Sequence, residues 1–332
     1  MRQPFPSIRR LSPAHFLEEA AAMLDAAQAQ SRRVISRAAE ALEHPDSFRL
    51  FAAYEGSFVA GAVCFKISDS RACAAGYVSA AAAQDILAAL SEEFGVGFLG
   101  FESCNGPPIA VEALANACSL AFGRIARARA PVETMVLDQE PCGAVGVHGA
   151  LRVVAPHSKL LPLLARWFKE FEKDTENEAY TLLGHQHVVD NLSAAAGRGD
   201  LFVWEVKEKP VSMVLMGCLR PKQVLCVYTV PHQRGKGYGQ AATSAACGRY
   251  WHATEGSEPI FLSAAHKYGA ARVYSRIGFR SGGWLHGVTF DDWCPADGAS
   301  SHENHATDVI ARALSHDSEA PFGDFNMPLV AH

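Results

Sequence analysis

Residues 224–251 read VLCVYTVPHQRGKGYGQAATSAACGRYW. An apolar, β-branched run, Val224 to Val230, leads into Gln233-Arg234-Gly235-Lys236-Gly237-Tyr238-Gly239, and an alanine-rich segment follows. A strand, a glycine-rich bend and a small-residue helix in that order suit the holding of a phosphate. A helix N-terminus leaves backbone N–H groups unpaired and carries partial positive charge. Glycines let the backbone approach closely and take angles closed to other residues.

Three phosphate loops compete for this stretch. A nucleotide P-loop needs glycine where Val230 stands and Ser or Thr after Lys236, where Gly237 stands, so it fails on residues. A dinucleotide turn is formally met by Gly237, Gly239 and Ala242, with Glu258 about twenty residues on. In that fold, however, the glycines start almost where the strand ends, and here Pro231 to Arg234 intervene. The acidic residue should also close a strand, yet Glu258 precedes the apolar "IFL". The third pattern, [QR]xxGx[GA], is met by Arg234, Gly237 and Gly239, and it binds the pyrophosphate of an acyl-CoA. Arg234 and Lys236 add positive charge at its rim.

The chain has 332 residues, room for two ordinary domains. With 49% hydrophobic and 20% charged residues it can bury large cores. A net charge of -5 argues against a general nucleic-acid binder. The nine cysteines form no CxxC pair and several lie in apolar runs, which reads as reduced, buried thiols of a cytoplasmic protein rather than a disulfide or zinc framework. The basic start "MRQPFPSIRRL" precedes no signal-peptide core, though it leaves an organelle-targeting role open. No apolar stretch has membrane-spanning length, so no membrane partner is expected.

The first half opens with a helical region over Pro13 to Glu43, with Leu17, Ala20, Ala21 and Leu24 on one face. A hairpin hinges at Glu55-Gly56-Ser57. A helix capped by Ser79 follows, then a strand over Val96–Ser103, a helix running from Pro108 to Ala130, and the strand "ETMVLDQE". The glycine-rich, charge-poor Pro141–Gly149 reads as the junction. The second half gives the strand "LRVVAP", the amphipathic helix "HSKLLPLLARWFKEFEKDTEN", three strands, the glycine loop and its helix, the strand "PIFLSA", the helix "KYGAARVYSRIGF" and a last strand, "GWLHGVTFDD". The runs from Leu50 and from Leu201 match in order and spacing, which suggests a duplication. At the matching place the first half reads "YVSAAAAQD", with no glycine pair.

A second motif, Ala270 to Phe279 ("AARVYSRIGF"), lies thirty-odd residues after the loop. Together the two motifs resemble those of the GNAT acyltransferase superfamily, over about Leu151 to Phe290. The resemblance implies an α/β fold of two GNAT-like halves, each a mixed, mostly antiparallel sheet flanked by helices. Residues 1–140 would form a degenerate half without a CoA loop, residues 150–292 the catalytic half, and residues 293–332 a C-terminal extension.

The implied function is acyl-CoA-dependent N-acylation, with acetyl-CoA as donor and a small-molecule or peptide amine as acceptor. The amine attacks the thioester carbonyl directly and no metal is involved. Backbone groups of Val227, Tyr228 and Thr229 would pair with the pantetheine arm. Arg234, Gly235, Lys236, Gly237, Tyr238, Gly239 and Gln240 would form the pyrophosphate loop. Tyr274 would be the general acid that protonates the departing thiolate. Glu205 is the candidate base; His232 and His286 are weaker ones. His266 stands where the family often has a pantetheine-binding Asn, and that departure leaves a non-catalytic acyl-CoA sensor as the competing class. His185 and His187, on one face of an expected strand, lack a third metal ligand. "HENH" (His302 to His305) does not have the spacing of a zinc motif.

Overall fold

The computed structural model describes residues 7–67, 72–95, 98, 100–175, 184–218, 221–265 and 269–291. After β1 (Ser7–Leu11), the first helical region is three helices, α1 (Pro13–Glu19), α2 (Ala21–Ala26) and α3 (Gln28–Glu43). Ser12 caps α1 by accepting the His15 N–H at 3.4 Å. Phe16, Ala20 and Leu24 form the buried face. The hairpin joins β2 (Phe48–Glu55) to β3 (Phe58–Lys66), with Gly56 at φ +66° in the turn.

Next come β4 (Ala72–Ala75), α4 (Ala80–Phe94), β5 (Ser103–Gly106), α5 (Pro108–Phe122), β6 (Ile125–Ala128) and β7 (Val132–Leu137). Two expectations shift here. The strand expected over Val96–Ser103 begins only at Ser103; residues 96, 97 and 99 lie outside the described residues. Phe98 and Phe101 are not strand residues but plugs, their ring centroids 6.0 and 5.5 Å from that of Phe65. The helix expected to reach Ala130 stops at Gly123, which takes the left-handed conformation at φ +67°. The chain beyond it pairs as β6.

The second half comprises β8 (Ala150–Val153), α6 (Leu161–Asp174), α7 (His185–Gly197), β9 (Leu201–Val206), β10 (Lys209–Met216), β11 (Val224–Thr229), α8 (Tyr238–Ala253), β12 (Ile260–Ala265), α9 (Ala270–Ile277) and β13 (Arg280–Asp291). Lys207 and Glu208 both take positive φ in the β9–β10 turn, as a tight hairpin requires. The buried stripe of α6 contains Leu161, Leu164, Ala165, Phe168 and Phe171 at helical spacing. Each of the leucines and phenylalanines contributes about 1.5–3 kcal/mol by leaving water. His185 and His187 lie on a helix, not a strand, so two positions apart they point to different faces. No group of three metal-ligating side chains occurs among the described residues.

The strands form a four-stranded sheet in the order β11-β10-β9-β8 and a nine-stranded one in the order β1-β2-β3-β4-β5-β13-β7-β12, with β6 paired to β13. The larger sheet contains an exchange between the halves. Strand β7, from the first half, lies between β12 and the start of β13 (Arg280–Leu285). In return the end of β13 (His286–Asp291) lies between β5 and β6 of the first half. The hydrogen-bond ladder therefore crosses the junction in both directions. Residues 292–332, including "HENH", lie outside the described residues.

Buried Arg124 pins the end of β13 in place. Its guanidinium donates to the carbonyl oxygens of Phe101 at 2.6 Å, Phe290 at 2.7 Å and Asp291 at 3.2 Å. Arg124→Met should leave those carbonyls short of donors and cost about 3 kcal/mol. Urea unfolding checks this, and a change below about 1 kcal/mol would show that the clamp is dispensable.

The junction is not a free linker but a strap lying against α8, α9 and β9. The Cys142 N–H donates to the Ile277 carbonyl at 2.7 Å, and the Ser244 hydroxyl donates to the Cys142 carbonyl at 2.7 Å. The Trp204 indole donates to the His148 carbonyl at 3.1 Å.

Candidate active site

The two halves treat one pair of strands differently. In the first half β4 and β5 run parallel and stay paired, Ala72 with Ser103, Cys73 with Cys104 and Ala74 with Asn105. Gly106 lets them close further, since a Cβ there would lie 2.6 Å from the Ala75 carbonyl oxygen. In the second half the backbones of the corresponding β11 and β12 pair, among the described residues, only at their start, where Gln223 bridges Phe261 and the Phe261 N–H donates to the Lys222 carbonyl at 2.9 Å. Beyond that point they belong to separate sheets, and a V-shaped gap opens between them.

The apex of the V is clamped. Lys222 Nζ donates to Asp200 at 2.6 Å and to the Gly217 carbonyl at 2.8 Å. From the first half, Arg32 on α3 donates to the Pro221 carbonyl at 2.7 Å, its guanidinium 5.2 Å from the centre of the Phe261 ring. Burial lowers the Arg32 pKa to about 10, which still leaves the group charged at neutral pH.

The edge of β11 facing the gap is selective. The Val230 N–H donates to the Val211 carbonyl at 3.1 Å, and antiparallel pairing alternates from there. Tyr228 therefore turns its backbone groups to β10, while Val227 and Thr229 turn theirs to the gap. Of the three residues expected to pair with the pantetheine arm, two face the right way. Lower on the strand, Leu215 pairs with Cys226 but Met216 pairs with Val224, so Leu225 is an extra residue bulged from the ladder.

The glycine loop caps the wide end of the V. A short 3₁₀ turn over Pro231–Gln233 carries the chain from β11 to the start of α8. Gly235 and Gly237 take φ +78° and +80°, the left-handed region that L side chains avoid. Gly237 precedes the first residue of α8, Tyr238, and no side chain caps that end of the helix. A Cβ on Gly235 would meet nothing within 4 Å, whereas one on Gly237 would lie 3.1 Å from Val147 Cγ2 of the strap. An open concavity at an uncapped helix N-terminus is a cradle for a pyrophosphate. Gln240 lies in the first turn of α8 and Gly239 beside it.

The loop's cations have other tasks. Arg234 donates to the Thr229 carbonyl at 3.0 Å and pairs with Asp174 of α6 at 3.0 Å, its guanidinium 5.4 Å from the centre of the Tyr228 ring. It ties the loop to α6, and its charge is matched rather than offered at the rim. Lys236 Nζ donates to the side chain of Gln233 at 2.8 Å, and that contact is exposed.

Tyr274 lies on α9, a helix held between left-handed glycines at Gly269 and Gly278. Ala270, Tyr274 and Ile277 form its buried face at helical spacing, and the Tyr274 ring packs edge-on against Phe279 at 5.8 Å. Only 1% of Tyr274 is exposed. Burial, then the neighbouring thiols of Cys226 and Cys247, holds its hydroxyl well above the usual phenol range. The group therefore stays protonated and is a standing donor.

Glu205 is not brought to Tyr274. Its carboxylate accepts two bonds from Arg152, at 2.6 and 2.8 Å. Along β9 it shares a face with Leu201 and Val203, whose core lies against α6 and α7, whereas Tyr274 packs with Phe202 and Trp204 on the other face. His232 lies exposed in the 3₁₀ turn, and exposed His286 pairs with Gly106 on the exchanged strand. His266 lies outside the described residues.

One acidic residue escaped the sequence. Glu172 continues the buried stripe of α6, four residues after Phe168, and is 1% exposed. Neither of its carboxylate oxygens has a hydrogen-bond partner among the described residues. Burial raises its pKa from 4.5 to about 8, only partly opposed by Lys169 one turn back. A folded state that holds this proton more tightly than the unfolded chain is stable below pH 4.5 and loses stability as pH rises to about 8. Between about pH 5 and pH 9 the wild type should lose on the order of 3 kcal/mol that Glu172→Gln retains. Parallel pH-dependent unfolding curves for the two proteins would disprove it.

No family model matches the sequence, and no curated protein matches it. The splayed strands, the glycine loop at the head of a helix and the paired mixed sheets define the GNAT fold, built twice in one chain. In particular, the chain is similar to a GCN5-related N-acetyltransferase from Sphaerobacter thermophilus, with a TM-score of 0.56 over 89% of this chain and 98% of that one at 16% identity. It is also similar to a Drosophila protein from a structural-genomics programme, with a TM-score of 0.54 over 86% of this chain and 98% of that one at 10% identity. No helix among the described residues is long and apolar enough to cross a membrane.

Proposed function

We propose that the chain is an acyl-CoA-dependent N-acyltransferase that transfers an acetyl group to a primary amine at the β11–β12 gap. The observation that carries this reading is the V between those strands with the left-handed glycine loop at its wide end. The donor fits what is there. The concavity at Gly235 and the N-terminus of α8 suit the pyrophosphate. The edge groups of Val227 and Thr229 suit an extended amide-bearing arm, which adds to a strand edge as a further strand would. That arm leads from the loop toward Cys226, the thiol that lies within electrostatic range of Tyr274.

In the reaction the amine nitrogen attacks the thioester carbonyl carbon, the C–S bond breaks, and the sulfur takes a proton. Tyr274 is the donor for that proton. In the first half β4 and β5 stay paired, and that half supplies β7 and the Arg32 clamp instead.

Purified protein, acetyl-CoA and a panel of primary amines test the proposal. Amine-dependent release of free thiol is expected with at least one acceptor class. Tight CoA binding by calorimetry without thiol release from any amine would overturn catalysis and leave an acyl-CoA sensor.

A further inference from the structure

Deep burial of a carboxylate without a partner is costly, and a protein keeps such a group where a ligand completes it. Glu172 is such a group: 1% exposed, both oxygens unpartnered, in a stripe otherwise filled by Leu161, Leu164, Ala165, Phe168 and Phe171. Its position is informative. Its helix packs on β11, where Phe168 and Phe171 share a cluster with Cys226; burial and then Glu172 raise the pKa of that thiol, and Cys226 contributes to the raised pKa of Tyr274. Cys226 is the residue next to the Leu225 bulge, just above the apex of the V. The apolar cluster around it spans the gap, from Cys226 and Tyr228 on β11 to Ala265 on β12. Glu172 from one face of the sheet and Tyr274 from the other thus converge on one short stretch of β11.

The geometry points to Glu172 as the group that receives the acceptor's ammonium and takes its proton, with Tyr274 serving the sulfur on the opposite side. The inference deepens the reading above and rests on it for the chemistry, though not for the binding of the amine. The acceptor class is a primary amine that enters as a cation. Paired with the ammonium, Glu172 is a carboxylate. It accepts one proton, the free amine attacks the thioester carbonyl, and Tyr274 gives its proton to the leaving sulfur. Tyr274 then recovers a proton from the acylated nitrogen, so the net product besides amide and thiol is one proton, which leaves through Glu172.

Few other charges face this group. On its own helix there is Lys169, and on β11 the Cys226 thiol. The ionisable residues of α7, His185, His187 and Asp190, are exposed. Glu205 is engaged by Arg152.

Two measurements test the inference. The first compares wild type with Glu172→Gln at saturating acetyl-CoA. The amine kcat/KM should fall about tenfold, with acetyl-CoA affinity unchanged within twofold, and the acidic limb of the pH profile should disappear. The second needs no turnover. Infrared difference spectra at pH 7 should show one protonated-carboxyl band that is missing in Glu172→Gln. Adding CoA and n-butylamine should abolish that band in the wild type. Persistence of the band with amine bound, or an unchanged amine kcat/KM in the variant, overturns the assignment. If the band behaves as expected but no amine releases thiol from the wild type, the amine site stands and the acyltransfer reading falls.

Discussion

Gly237→Val should abolish measurable binding of acetyl-CoA, an expected loss of at least a hundredfold in affinity by calorimetry, with the protein still folded. Two independent effects act at this one position. A β-branched residue at φ +80° is strained by roughly 1–3 kcal/mol, and its Cβ lies 3.1 Å from Val147 Cγ2. The loop must move, and moving it rotates the first N–H groups of α8 away from the phosphate. A hundredfold loss is about 2.7 kcal/mol, within what one displaced charged-group contact supplies. Gly235→Ala is the control. It is strained by its φ of +78° but meets nothing within 4 Å, so its loss should be the smaller. Equal affinities for wild type and Gly237→Val would remove the loop from the site.

Tyr274→Phe should reduce kcat about a hundredfold, the lower range for a positioned proton donor, with acetyl-CoA affinity within twofold of wild type. The hydroxyl is the only difference, and the ring contact with Phe279 at 5.8 Å survives. The raised pKa sharpens the expectation. Because Tyr274 keeps its proton far into the alkaline range, wild-type activity should show no alkaline limb below about pH 10 that the variant lacks. Unchanged turnover in Tyr274→Phe would leave the residue a core aromatic and the acid unassigned.

Much of this site could be read from local sequence, for physical reasons. Gly235 and Gly237 are recognisable because the backbone needs φ values that only glycine takes freely. Tyr274 stands out only through the resemblance of Ala270–Phe279 to the family's second motif; its helical spacing alone reads as a core face. Glu172 escaped because a charged residue in an amphipathic helix is ordinarily assigned to the solvent face; the signal was its place, four after Phe168 in the stripe. For Glu205, alternation on a strand did not reveal that Arg152 engages its carboxylate. The helix around His185 lacks strong periodicity and so resembled a strand. The exchange of β7 and β13 had no local signal at all, since both segments read as ordinary strands and the partner is chosen by contacts more than a hundred residues away.

That exchange reaches into the birth of the protein. Among the described residues strand β6 finds its partner only in β13, the last described element, so the first half leaves the ribosome with an unfilled slot between β5 and β6. At roughly 5–20 residues per second, about 8–30 s of synthesis separate the two strands. During that time the nascent chain presents two open β-edges, templates for a neighbouring chain as much as for its own end. Neither half should survive as a separate fragment. A stop codon between them would yield an aggregating product, and the slow step of refolding should be the late docking of residues 286–291.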